Sequence, residues 1–217
     1  MYDILSRSIS IQLDGIVLHG DLSIPENTIG MVIFSHGSGS SRLSPRNRYV
    51  AQVLQKRGLA TLLFDLLSED EDHIYQNRFN IDLLTIRLID VTQWVQQQKE
   101  TKKSPLGYFG ASTGAASALR AAAFFGKDIK AVVSRGGRPD MAFEALHLVS
   151  APTLLIVGGL DEQVIELNRK AYKKLPGIKK LEIVPKASHL FEEPGKLAEV
   201  AQISGDWFVS HLLNIKI

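Results

Sequence analysis

An α/β chain, with a mostly parallel central sheet and helices on both faces, is what the sequence predicts, and three observations carry the prediction. Short apolar runs alternate with helical stretches for most of the 217 residues. Several runs are continuously apolar rather than alternating, as strands covered on both faces must be. The segments between them are each long enough for one crossover helix, and parallel neighbours require such crossovers.

The elements follow in order. "RSISIQL" and "GIVLHGDLSIP" read as an opening strand pair, with Asp14-Gly15 as the hairpin turn. "GMVIFSH" is a continuous apolar run and therefore a buried strand. "RNRYVAQVLQKRG" has helical spacing and ends on Gly58, a C-cap candidate. "LATLLFD" is a second buried strand, and after an acidic loop "IDLLTIRLIDVTQWVQQQ" gives a long amphipathic helix. "PLGYFGAS" is a strand, "TGAASALRAAAFFG" a small-residue helix and "IKAVVSRGG" another strand. The strand "APTLLIVGG", the helix "QVIELNRKAYKKL", the strand "KKLEIVP" and a helix through "DWFVSHLL" complete the series. No internal repeat, low-complexity tract or Pro/Gly linker divides the chain. A single domain over 1–217, without room for a lid domain, is the expectation.

Composition narrows the function classes. Net charge is +2, and the tightest basic group, "SPRNR" around Arg46 and Arg48, is too short for a nucleic-acid surface. The absence of cysteine excludes disulfides, thiolate metal sites and a cysteine nucleophile. No segment approaches a membrane span, and "MYDILSRSISIQLDG" lacks a long apolar core behind a basic start. A cytoplasmic location is expected, with no nucleic-acid or membrane partner.

In such sheets ligands bind beyond the carboxyl ends of the strands, so the residues delivered there decide the chemistry. "PLGYFGAS" delivers Gly110-Ala111-Ser112-Thr113-Gly114, a G-x-S-x-G pentapeptide between strand and helix. A nucleophilic serine must stand on a tight, strained turn, and small residues two before and two after let strand and helix approach closely. Alone the pentapeptide is also compatible with an ordinary Gly/Ser turn; its place between a buried strand and an Ala-rich helix favours a nucleophile. Serine needs a base and a group to orient that base. Asp161 lies past "PTLLIVGG" and His189 past "LEIVP", at two further strand ends, giving the chain order Ser, acid, His. Asp140 and Glu162 are rival acids. His19, His73 and His211 read as incidental, on a strand, a polar loop and a terminal helix.

Through "HGSGSSR", "GASTG", "GGLDEQV" and "ASHLF" the chain resembles the α/β-hydrolase superfamily, in its small, lidless dienelactone hydrolase-like branch. The resemblance implies a Ser112–His189–Asp161 triad and hydrolysis of a carboxylic ester or lactone. True dienelactone hydrolases carry cysteine where Ser112 stands. "HGSGSS…SPRNR" and "SRGGRPD" are more similar to hydrolase domains sometimes joined to phosphoribosyltransferase domains. A small-molecule ester-type substrate, no cofactor, no metal and a monomer or homodimer are expected.

"FSHGSGSS" poses a choice between cradling a phosphate and stabilising an oxyanion. It lacks the lysine of a phosphate loop and the spacing of a dinucleotide fingerprint. With a nucleophile turn later in the chain, the backbone N–H groups of Thr113 and Ser38 are the expected oxyanion donors, with Gly37 and Gly39 letting the chain turn. Gly39, Arg42 and Arg135 are candidate substrate contacts, since a guanidinium fork suits an anionic group. Arg138 reads as an internal ion pair, and Asp65 as a turn cap or an arginine partner. "SEDED", residues 68–72, lacks the spaced ligands of a calcium loop and reads as a solvated, mobile rim. Trp94 and Trp207 read as packing residues.

Overall fold

The computed structural model describes residues 4–213; the ends of the predicted 1–217 domain, residues 1–3 and 214–217, lie outside the described residues. Eight strands form one sheet: β1 (Ile4–Leu13), β2 (Ile16–Pro25), β3 (Gly30–Ser35), β4 (Leu59–Phe64), β5 (Leu106–Ala111), β6 (Ile129–Arg135), β7 (Thr153–Gly158) and β8 (Lys179–Val184). The spatial order is β1-β2-β4-β3-β5-β6-β7-β8. β1 and β2 pair antiparallel around Asp14-Gly15, with Gly15 at φ 75°. β2 also runs antiparallel to β4, and every later neighbour is parallel.

The continuous apolar runs are the interior strands, and every residue of β3, β4, β5 and β7 is buried. Helices α1 (Pro45–Gln55) and α6 (Lys196–Leu212) cover one face. There Val50, Leu54, Phe208 and Leu212 pack on Val32, Phe34, Phe109 and Val133. Helices α3 (Ile81–Gln97), α4 (Thr113–Phe125) and α5 (Glu162–Lys174) cover the other. There Leu88, Val91, Leu119 and Ala122 pack on Met31, Ile33 and Tyr108. Each fully buried Leu, Val or Phe contributes about 1.5–3 kcal/mol, so these two layers dominate the stability. The one hydroxyl that Tyr108 carries into the core meets Thr92 Oγ1 at 2.8 Å, which satisfies it there. Trp94 and Trp207 pack against the two layers as expected.

Two local expectations are corrected. α1 stops at Gln55 with Lys56 as its C-cap, and Gly58, at φ 79°, turns the chain into β4 two residues later. The acidic stretch is solvated, with Glu69 and Asp70 exposed, but it is ordered as a short helix, α2 (Glu69–Asp72). Ser68 Oγ accepts from the Glu71 N–H at 3.2 Å while Glu71 Oε2 accepts from the Ser68 N–H at 3.0 Å. That reciprocal capping box, with Glu71 also paired to Arg87, fixes the segment. No helix among the described residues is long and apolar enough to cross a membrane.

Candidate active site

The G-x-S-x-G spacing has a steric cause. A Cβ on Gly110 would stand 2.4 Å from Ala115 Cα, and one on Gly114 would stand 2.2 Å from the Ser35 carbonyl oxygen. Only glycine lets β5, β3 and α4 meet so closely. Ser112 itself is held at φ 51°, ψ −119°, a conformation that glycine tolerates and side chains resist. The turn is pinned by its own backbone: the Ser112 N–H donates to the Arg135 carbonyl at 3.1 Å, and the Arg138 N–H donates to the Ser112 carbonyl at 3.0 Å.

The structure brings Ser112, His189 and Asp161 together. His189 Nδ1 lies 2.6 Å from Asp161 Oδ2, and Nε2 lies 3.4 Å from Ser112 Oγ. With Nδ1–H donating to the carboxylate, Nε2 is left as the acceptor for the serine O–H. The 3.4 Å separation is long for a hydrogen bond, as such contacts often are without substrate. Asp161 occupies the N-cap position of α5, yet its side chain makes no capping bond and is given to the imidazole instead. Asp140, one rival acid, is bound to Arg138 by two hydrogen bonds of 2.9 and 2.8 Å. Glu162, the other, is the first residue of α5. Arg138 is the internal pair expected of it, and its bond to Asp140 raises its pKa further.

The loop after β3 lies against the nucleophile turn. A Cβ on Gly37 would approach both the Ala111 oxygen and Ser112 Cβ to 3.1 Å. Here the expectation for Ser38 needs correcting: its N–H is not free but donates to Thr113 Oγ1 at 2.8 Å. Thr113 is buried at 4 % exposure and opens α4, where its own N–H has no intrahelical acceptor. Gly39 is exposed at φ 67°. Clefts of about 580 and 480 Å³ flank this loop; the smaller is lined by Ser38, Gly39, Ser44, Arg46 and Arg78.

His36 was not singled out by the sequence, although the His-Gly pair at the strand end was its signal. Its Nε2 accepts from the Leu66 N–H at 3.0 Å, and its Nδ1–H donates to the Gly37 carbonyl at 2.9 Å. Burial lowers its pKa below the ordinary 6.5, against opposing effects of the Gly37 carbonyl and of Asp65 and Asp72. A neutral imidazole therefore ties the loop to the end of β4.

The arginine candidates divide. Arg42 pairs with Asp65, which also accepts the Arg42 N–H at 2.8 Å, so its guanidinium is already engaged. Arg135 is 7 % exposed and lies 6.0 Å from the Phe191 ring centroid. Burial, with the Arg46 charge nearby, pulls its pKa down to about 10, and its Nε–H meets no acceptor among the described residues. His19 and His73 are exposed, and His211 stacks on Trp207 at 4.3 Å.

No family model matches the chain. Over 193 residues it is 58 % identical to a Mycobacterium tuberculosis protein named "Putative phosphoribosyl transferase", covering 89 % of this chain and 44 % of that one. The chain thus spans less than half the length of the curated relatives it matches. Among solved structures, Est1E from Butyrivibrio proteoclasticus superposes with a TM-score of 0.82 at 17 % identity, covering 94 % and 98 % of the two chains, which shows the fold alone. The dienelactone hydrolase from Anabaena variabilis superposes with a TM-score of 0.93 at 51 % identity, covering 96 % of this chain and 98 % of that one. Close likeness over both whole lengths, on a lidless sheet of this strand order, places the chain in the dienelactone hydrolase-like branch of the α/β-hydrolases.

Proposed function

We propose that the protein is a serine-dependent carboxyl ester hydrolase that works through an acyl-enzyme. The observation that carries the reading is the hydrogen-bonded line from Asp161 through His189 toward Ser112 on a strained turn. His189 Nε2 takes the hydroxyl proton as Ser112 Oγ attacks the ester carbonyl. Asp161 keeps the imidazole in the receptive tautomer and stabilises it once charged. The tetrahedral intermediate collapses as His189 returns the proton to the leaving alcohol, and water then releases the acid by the same two steps. The cleft of about 480 Å³ beside Ser38 and Gly39 suits a small or medium ester, lactone or thioester.

A fluorophosphonate probe should label Ser112, and Ser112→Ala should abolish both labelling and cleavage of p-nitrophenyl esters. Asp161→Asn should keep the fold and lose about 10³–10⁴ in kcat through the wrong tautomer. Undiminished labelling of Ser112→Ala would overturn the assignment. We assign the phosphoribosyl transfer named for the mycobacterial relatives to the part of those chains outside the matched 193 residues. The Ser38 N–H turns inward to Thr113 instead of outward to an anion, which supports keeping phosphate chemistry away from this loop.

A further inference from the structure

We propose that the side-chain hydroxyl of Thr113, and not the backbone N–H of Ser38, is the second oxyanion donor of this site. The inference rests on the ester-hydrolase reading above and changes one of its parts. An oxyanion hole needs two hydrogens aimed at the same point beside the nucleophile. The Thr113 N–H supplies one, being the first N–H of α4 and without an intrahelical acceptor. The loop after β3 is the usual place to seek the other, but the Ser38 N–H has one hydrogen and spends it on Thr113 Oγ1 at 2.8 Å.

That bond uses Thr113 Oγ1 as an acceptor only. A hydroxyl that accepts still owns one proton to donate, and among the described residues the Thr113 side chain makes no other hydrogen bond. The proton therefore belongs to a group immediately next to Ser112, on a residue only 4 % exposed. Accepting from Ser38 polarises the O–H and strengthens what it donates. The β-branched side chain is stiff at χ1 and clamped by the loop, so little reorganisation accompanies the reaction.

The clamp is itself fixed from two sides. Gly37 packs on the nucleophile turn, and His36 holds the Gly37 carbonyl while it binds the Leu66 N–H. The Ser38 N–H is thus held on Thr113. When Ser112 Oγ bonds to the carbonyl carbon, the carbonyl π pair moves to oxygen. That oxygen receives two hydrogen bonds from Thr113, one from N–H and one from O–H, and no proton is transferred to it.

The test compares Thr113→Val, which keeps the shape and removes the hydroxyl, with Thr113→Ser, which keeps it. With p-nitrophenyl acetate, Thr113→Val should lose about 10²–10³ in kcat with KM little changed. Its affinity for a trifluoromethyl ketone, whose adduct carries the same oxyanion, should fall by a similar factor, while Thr113→Ser stays within a few-fold of wild type. Should Thr113→Val fold poorly, Thr113→Ala gives the same comparison. Activity of the Val or Ala variant equal to or above wild type would overturn the proposal, because it would mean that freeing the Ser38 N–H restores the donor. A wild type that no fluorophosphonate labels would instead strike the ester-hydrolase reading itself.

Discussion

Replacing His36 with glutamine should remove one proton's worth of pH dependence from the stability of the protein. His36 must be neutral in the fold, because Nε2 accepts from the Leu66 N–H while Nδ1–H donates to the Gly37 carbonyl. A second proton on Nε2 would confront a donor with a donor. Burial is the main cause that lowers the pKa below 6.5. The sign follows from linkage: below pH 6.5 the unfolded chain takes up a proton that the folded one refuses, so stability falls as pH falls. The contribution is intact above the unfolded value and is lost as acidification proceeds toward the lowered folded value. The loss cannot exceed RT ln(1 + 10^(6.5 − pH)), the limit for a group that never takes up the proton when folded, which is about 0.4 kcal/mol at pH 6.5 and about 1.4 kcal/mol at pH 5.5.

Glutamine can offer its Oε1 to the Leu66 N–H without titrating. Urea unfolding of wild type and His36→Gln at pH 7.5, 6.5 and 5.5 isolates the effect, since the carboxylates and the other histidines cancel in the difference. The stability advantage of wild type should shrink between the first and last pH, by at most about 1.4 kcal/mol. A difference that stays constant across that range would refute the neutral-imidazole argument, whatever the absolute stabilities are.

Two further predictions concern the nucleophile turn. Ser112→Gly should be more stable than Ser112→Ala by about 1–3 kcal/mol, read as a higher urea midpoint, because both lack the hydroxyl but only alanine keeps the strain of φ 51°. Gly114→Ala should cost about 3 kcal/mol or more and reduce activity, because its Cβ would stand 2.2 Å from the Ser35 oxygen and 2.3 Å from the His36 oxygen. Both obstacles are backbone at the root of the 36–41 loop, so no rotamer relieves the clash.

The interior strands were legible because helices cover both faces, leaving runs with no polar residue to break them. The helix at 69–72 was legible too, as Ser68 and Glu71 have the spacing of a capping box, but the acidic composition outweighed that signal. The loop bearing Ser38 could be identified from its position relative to the nucleophile. The fate of its N–H could not, because it depends on the rotamer of Thr113, 75 residues away in sequence. The surroundings of the arginines were hidden for the same reason. Arg42 is engaged by Asp65 and Arg135 is buried beside Phe191, both partners being supplied by other elements. A sequence shows which charges reach the strand ends and not which neighbours meet them there.

The position of His189 joins these levels. Ser112 follows β5 and His189 follows β8, and three strand spacings of about 4.8 Å separate those strand ends. An imidazole reaching straight up from β8 would miss the serine by about 14 Å on that spacing, so its loop must lie back across the ends of β7 and β6. Two glycines make that crossing possible. A Cβ on Gly158 would stand 2.4 Å from the Ala187 oxygen and 2.5 Å from the Ser188 oxygen, which shows the loop passing directly over the end of β7. A Cβ on Gly136 would come within 3.2 Å of the His189 oxygen and 3.4 Å of its imidazole at the end of β6. Positive φ at Lys186 and Phe191 turns the chain into and out of the crossing, and the buried Phe191 ring anchors its far side. Asp161, directly past Gly158 and Gly159, therefore stands under the crossing point, where its carboxylate meets Nδ1 at 2.6 Å. "IVGGLD" and "SRGG" are thus parts of one device that carries a histidine across two strands to a serine it could not otherwise reach.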